Sequence, residues 1–233
     1  MADRPIIMDG ASVRAILEGR KTQTRRVIRQ FSRNPDHAQL LRFDDNVTIF
    51  GDTIPDDPCP FEIKTPYRVG DRIWVKETWA DVNSEDGPAL LYRSDSDLRT
   101  WHEWCHEKGP DFGAGPSMNY DLYPGQYTMW WSDLLRGEPE HYWRSPIHMP
   151  RWASRLTLKV TDVRVQRLHD MPRGDVYAEG LTEDYVHHFR QWFSDQAPWE
   201  SFAVRWDEIN GKRSPWSSNP WVWAITFRMI SNV

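Results

Sequence analysis

The first apolar period in the chain falls at Val13, Ile16 and Leu17, the three- and four-residue spacing of one helical face. Gly19 follows where a left-handed C-cap commonly ends a helix, so the pattern predicts a helix from about Asp9 to Glu18. A short strand is expected before it, from Pro5 to Met8, and another after it, through Thr22 to Ile28. Between helix and strand the apolar pattern stops. The segment Gly19-Arg20-Lys21-Thr22-Gln23-Thr24-Arg25-Arg26 packs a lysine, three guanidinium groups and two hydroxyls side by side. Two readings fit it: a solvated helix C-terminus whose cations complement the dipole, running into an edge strand, or a functional site.

Residues 29–62 show turn chemistry (Asp44-Asp45-Asn46, Gly51-Asp52, Pro55-Asp56-Asp57-Pro58) and no sustained period, which predicts an irregular insertion. A tight turn is expected at Gly70-Asp71. Beyond it Ile73 and Val75 alternate with Arg72 and Trp74 as a strand, with Leu90–Arg93 as the expected partner strand. Residues 95–143, rich in Trp, Gly, Pro and acidic side chains, read as a second insertion, a subdomain or lid with short elements of its own. Leu156, Leu158 and Val160, then Val163 and Val165, form the clearest strand, interrupted at Thr161-Asp162 by a bulge or a turn. A short helix at about Gly174 to Glu179 follows, then a helix from Glu183 to Phe193 capped by Thr182. A further helix from Glu200 to Asn210 carries Phe202, Val204 and Trp206. Trp221 to Ile230 closes the pattern as a buried strand. Strands threaded between short helices favour one α+β domain over residues 1–233, a small barrel with flanking helices and large insertions, over a doubly wound sheet.

Composition narrows the function classes. A chain of 233 residues is ample for a real core. Its net charge of -5 and pI near 5.9 give no global basic footprint of the kind a dedicated duplex binder carries, so any nucleic-acid contact has to be local. Cys59 and Cys105 form neither a disulfide framework nor a zinc pattern. The N-terminal residues carry no apolar signal core, and there is no apolar run of the roughly 18 residues a spanning helix needs, so a cytoplasmic location without a membrane partner is expected. His187 and His188 are adjacent on a helix and cannot face one metal together; no metal and no other cofactor is expected. Fourteen Trp at a mean hydropathy of -0.73 imply that a few large rings cover what many aliphatic side chains usually cover. Core duty is expected for most, while Trp74, Trp79 and Trp152 are candidates to stack on a base, worth about 1 to 3 kcal/mol per base.

The order of segments resembles the ASCH domain family. The resemblance rests on Leu17-Glu18-Gly19-Arg20-Lys21-Thr22-Gln23-Thr24-Arg25-Arg26, on Gly70-Asp71-Arg72-Ile73-Trp74-Val75 and on the strand from Leu156 to Leu168. The Ala178-Glu179-Gly180 block and the closing Ile225-Thr226-Phe227 add to it. Trp143-Arg144-Ser145-Pro146-Ile147-His148-Met149-Pro150 is similar to the longer phage and prophage branch. The resemblance covers about half the chain and implies a PUA-like β-barrel and an RNA-related role. A small bacterial member is an amidohydrolase that removes the acetyl group from N(4)-acetylcytidine with a Lys, a Thr three residues later and a distant Glu that precedes a helix-opening Thr by three. Carried over residue by residue, this implies Lys21, Thr24 and Glu179, the last with Thr182. Arg25 departs from that pattern, because the corresponding position in that enzyme is apolar.

The chemistry stands on its own terms. Amide cleavage requires a nucleophile, a base to activate it and an acid to protonate the leaving nitrogen, roles that Thr24, Lys21 and Glu179 can fill. A lysine at its reference pKa of about 10.4 is a poor base at neutral pH, so Lys21 needs the help of nearby cations and partial burial. In a straight strand positions 21 and 24 point to opposite faces, so a shared site needs Lys21 in the turn. Arg20, Thr22, Arg26, Trp74, Glu77 and His148 are the candidate substrate contacts. Glu77 is the rival carboxylate to Glu179, for which a structural ion pair with an arginine is the blander role. His148 and His169 suit a phosphate or a proton shuttle, though a solvent-facing His is the commoner case. Arg144, Arg151 and Arg155 either rim a phosphodiester site or neutralise the acidic insertions. The first expectation is therefore turnover of a small nucleoside. The second is an RNA-binding module in the same cleft, and the third a ribonuclease with Lys21 and the arginines on the scissile phosphate.

Overall fold

A computed structural model describes residues 3–29, 38–43, 47–52, 61–100, 103, 129–137 and 142–232. The chain is mixed α+β, and among the described residues no sheet closes into a barrel. It divides into two compact units, one built from residues 18–71 and 159–228 and the other from 2–17, 72–158 and 229–233.

In the first unit β2 (Gln23–Val27) runs antiparallel to β11 (Trp221–Asn232), with Gln23 opposite Thr226 and Thr24 opposite Ile225. On the other side of β11 lies β10 (Leu156–Arg167). The expected break at Thr161-Asp162 is not a turn. β10 runs on, but two successive residues are exposed there and the buried set shifts from Leu158 and Val160 to Val163. Residues 29–62 depart from the irregular insertion expected of them, since β3 (Ala38–Phe43), β4 (Val47–Asp52) and β5 (Phe61–Lys64) form an antiparallel meander. Buried Phe50 anchors it, edge-on to Trp221 at 5.2 Å, and buried Thr48 and Ile63 lie opposite each other. These strands are too short to show a period between turn residues. Gly51-Asp52 ends β4 rather than forming a turn, while Asp44–Asn46 and Pro55–Pro58 lie outside the described residues.

Among the described residues, three α-helices complete this unit. α3 (Arg173–Ala178) and α4 (Glu183–Phe193) are joined through Gly180, whose φ of 99° is a conformation glycine adopts freely. Thr182 caps α4 as expected, its hydroxyl accepting from the Tyr185 amide at 3.2 Å. α5 (Ala197–Asn210) starts three residues earlier than its pattern suggests. It buries Phe202 and Trp206 against Leu168, Met171, Val176 and Val222, while Val204 stays exposed. Trp199 and Trp206 each donate their indole N–H to a carbonyl, of Met171 and Ser214, both at 2.8 Å, which lets large rings pack without stranding a donor.

In the second unit β1 (Asp3–Ile7) pairs in parallel with β6 (Arg72–Lys76), and Asp9 caps α1 (Gly10–Leu17) by accepting from the Ser12 amide at 2.7 Å. The partner strand expected at Leu90–Arg93 belongs elsewhere. β7 (Trp79–Ser84), β8 (Gly87–Tyr92) and β9 (Asp97–Thr100) form their own antiparallel sheet, so β9 falls inside the segment expected as an insertion. The two-residue turn Glu85-Asp86 carries none of the usual hairpin glycines at its centre, which hid β7 from the sequence reading. α2 (Trp131–Leu135) buries Leu134 against Ala80, Val82 and Leu91.

Arg155 is the polar centre of this unit. It is about as buried as a side chain can be, at 1% exposure, and its partner Glu77 matches it at 1%. Its Nε and Nη2 grip the two Glu77 oxygens at 2.9 and 3.0 Å, Nη1 reaches Asp95 and Asp97 at 2.9 and 2.7 Å, and the Tyr92 ring lies 4.2 Å away. Ser94 accepts from Arg155 at 2.9 Å and donates to Glu77 at 2.6 Å. Burial alone would raise the Asp95 carboxyl, but Arg155, the Asp97 amide and Ser94 outweigh it and hold the group below the ordinary carboxylate range. Asp81 has the opposite balance, with burial dominating over its partner Arg144, so its carboxyl is raised.

Arg155→Met should therefore lower the unfolding free energy by roughly 3 to 5 kcal/mol, because Glu77 is left buried without a counter-charge; urea midpoints at matched slopes measure it. The two aspartates should respond to acid with opposite sign. The stability Asp95 contributes is present above the ordinary Asp value of about 4 and lost as pH falls through its lower folded value. The penalty Asp81 imposes is present above its raised folded value and relieved as pH falls through it. Relative to the wild type, the stability lost between about pH 7 and pH 3 should shrink in Asp95→Asn and grow in Asp81→Asn.

Candidate active site

The sequence segment singled out at the start folds as a connector and then a strand. Gly19 takes a φ of 73° after α1, Arg20, Lys21 and Thr22 are irregular, and β2 begins at Gln23. Lys21 thus sits in the connector before β2. Its backbone neighbour Thr22 is tied on both sides, donating to the Ala178 carbonyl and accepting from the Phe227 amide, both at 2.8 Å. The first of these bonds brings the end of α3 alongside the connector.

Glu179 is the C-cap residue of α3, so the tie at Ala178 delivers its side chain to Lys21. Lys21 Nζ donates to Glu179 Oε2 at 2.6 Å and to the Glu179 carbonyl at 2.9 Å, with 4% and 7% of the two side chains exposed. The other carboxylate oxygen, Oε1, accepts from Arg25 Nη1 at 3.0 Å. Arg25 is itself buried. Its Nη1 also reaches Gln23 Oε1 at 2.7 Å, and its Nη2 reaches Asp175 Oδ2 at 2.6 Å, an oxygen that accepts from Arg164 Nη2 at 2.8 Å as well. The polar residues therefore alternate in sign from Lys21 through Glu179, Arg25 and Asp175 to Arg164.

Gln23 and Arg25 share one face of β2 and meet each other there. Thr24, between them, lies on the opposite face and is buried. The structure thus joins Lys21 to Glu179 and places the Thr24 side chain across the strand from the Arg25 cluster. Arg20 pairs with Glu18 and donates to the Gly180 carbonyl, and Arg26 is half-buried near the end of β2. The other candidate contacts belong to the second unit. Glu77 is consumed in the Arg155 network, the structural ion pair considered for it. Trp74 has Lys76 and Arg151 at 5.5 and 5.7 Å from its ring, and His148 is exposed on a 3-10 turn. Trp79 is core, edge-on to Trp152 at 6.1 Å.

Asp175 and the pairing role of Arg25 escaped the sequence reading. The signal was present: Asp175 and Glu179 are four residues apart on a helix and so share a face, and a strand arginine opposite them is their natural counter-charge. Among the described residues no group of three or more His, Cys, Asp or Glu could hold a metal ion, and no helix is long and apolar enough to cross a membrane. Comparison with protein families, with curated proteins and with solved structures gives no match for this chain.

Because Glu179 answers two buried cations and Lys21 is only one of them, Glu179→Gln should destabilise the fold more than Lys21→Met does. Removing one member of a buried pair costs roughly 3 to 5 kcal/mol. The double variant should cost less than the two singles summed, by a coupling of about 0.5 to 3 kcal/mol in a double-mutant cycle of unfolding free energies.

Proposed function

We propose that this chain is an ASCH-type, PUA-like amidohydrolase that cleaves the exocyclic amide of N(4)-acylated cytosine nucleosides such as N(4)-acetylcytidine. The observation that carries the proposal is the buried 2.6 Å contact between Lys21 and Glu179, 158 residues apart in the chain and the two positions to which the sequence resemblance assigns base and acid. Amide hydrolysis needs both at once. Moving one proton along this hydrogen bond, from ammonium to carboxylate, turns an ion pair into a neutral amine that accepts a proton and a carboxylic acid that supplies one.

In the reaction so assigned, Thr24 Oγ attacks the acyl carbon while its proton passes to Lys21 Nζ. The bond from the acyl carbon to N4 breaks as Glu179 protonates the departing nitrogen, and water then hydrolyses the threonine ester to release the carboxylic acid. Thr24 has to present its hydroxyl on the Lys21 side of β2 for this. Its place on the opposite face favours a second version in which the Lys21–Glu179 pair activates a water directly and no ester forms. An RNA-binding role would need guanidinium groups open to phosphate. Arg25 lies buried between two carboxylates and Arg20 is engaged with Glu18, which supports a small, neutral substrate instead.

Purified protein should release cytidine from N(4)-acetylcytidine, and Lys21→Ala and Glu179→Gln should each lower kcat/KM by about 100- to 10,000-fold. Thr24→Ala separates the two versions: equal loss supports the threonine ester, whereas retained turnover supports water. A folded wild type that releases no cytidine but binds RNA with steep salt dependence would overturn the proposal.

A further inference from the structure

Lys21 donates to the Glu179 carbonyl and to one oxygen of the Glu179 carboxylate. Glu179 caps the C-terminus of α3 and its carboxylate has two oxygens, of which Lys21 engages one. The orientation of that oxygen depends on the other. We infer that Arg25 is the positioning residue of this site: a forked clamp that holds Glu179 and Asp175 one helical turn apart and so aims Glu179 Oε2 at Lys21. The inference rests on the amidohydrolase reading for its kinetic consequence, though not for its geometry.

Both terminal nitrogens of the clamp have partners, while Arg25 Nε is buried without one among the described residues. Arg25 lies on β2 with 0% of its side chain exposed, and its Nη1 and Nη2 each take one carboxylate of α3, Glu179 at 3.0 Å and Asp175 at 2.6 Å. Asp175 and Glu179 occupy positions i and i+4, so a planar fork with two parallel nitrogens spans them. The fork is braced from behind by Gln23, whose amide N–H donates to the Thr226 hydroxyl on β11 at 3.1 Å and whose carbonyl end accepts from Arg25 at 2.7 Å. Asp175 is braced in turn by Arg164 on β10 at 2.8 Å. A lysine at position 25 would keep the charge but offer a single nitrogen, which cannot engage both carboxylates in this geometry.

The test uses Arg25→Lys, with Asp175→Asn as the second variant in case the first does not fold, each checked by circular dichroism and thermal melting. Two readouts are taken: the pH profile of kcat and KM on N(4)-acetylcytidine, and the pH-dependent rate of Lys21 acetylation by acetic anhydride, followed by competitive labelling and mass spectrometry. A positioning role predicts that Arg25→Lys loses about 100-fold in kcat with KM little changed, as expected when a reacting group is misplaced by about 1 Å. Asp175→Asn should lose about tenfold, in proportion to one lost anchor of two. In both, the Lys21 labelling profile should shift along the pH axis. A folded variant whose labelling profile matches the wild type overturns the inference, whatever its kcat. A wild type that releases no cytidine while the labelling profile still shifts in the variants sinks the amidohydrolase reading and leaves the clamp standing.

Discussion

A guanidinium taken out of water costs several kcal/mol unless acceptors surround it, and each unit of this protein is arranged around one such group. Arg155 in one unit and Arg25 in the other have side-chain exposures of 1% and 0%. Each is met by carboxylates from a different chain segment: Glu77, Asp95 and Asp97 for the first, Asp175 and Glu179 for the second. The requirement works in both directions. The arginine needs its acids to be buried at all, and loss of either member strands the other. Helix α3 and the β8–β9 connection are therefore fixed by polar satisfaction as much as by apolar burial.

The tryptophans solve a related problem. A chain this polar has few aliphatic side chains to spend, and Trp79, Trp206 and Trp223 are buried where leucines would ordinarily be. Each ring brings an N–H that has to find an acceptor or accept the cost. For Trp199 and Trp206 the acceptors are carbonyls of nearby chain, so these rings order a connection as well as filling space. Trp79 Nε1 is buried without such a partner among the described residues, and its ring is instead faced by Arg144 at 5.2 Å. These rings are framework.

Sequence reading reached furthest where a local rule decides the structure. The Val13–Leu17 period, the Gly19 stop, the Thr182 cap and the alternation of Ile73 and Val75 all appear as read, because helix face, cap and pleat are each set within a few residues. It failed where strands were short or their partner was distant. β3, β4 and β7 are six residues each, and turn residues dominated the reading around them. Strand pairing was mistaken for the same reason: β6 finds its partner in β1, near the N-terminus, whereas Leu90–Tyr92 closes a hairpin with Trp79–Asp81. At the site, Lys21 and Glu179 were legible from a motif and meet in space. Asp175 was missed because no motif contains it, although its four-residue spacing from Glu179 pointed to a shared face that meets Arg25.

Arg25 and Asp175 form a matched pair. An apolar residue at position 25 would leave the Glu179 carboxylate to Lys21 alone. An arginine placed there by itself would compete with Lys21 for the same carboxylate and draw it away. With Asp175 one turn back on α3, the guanidinium has a second acid for its second nitrogen, so it takes only Oε1 of Glu179 and leaves Oε2 to Lys21. Arg164 then supplies Asp175 with a further cation, which keeps the alternation of charge from ending on an unbalanced buried acid. A longer run of paired charges costs desolvation at each step, and what it returns is a carboxylate held in one orientation.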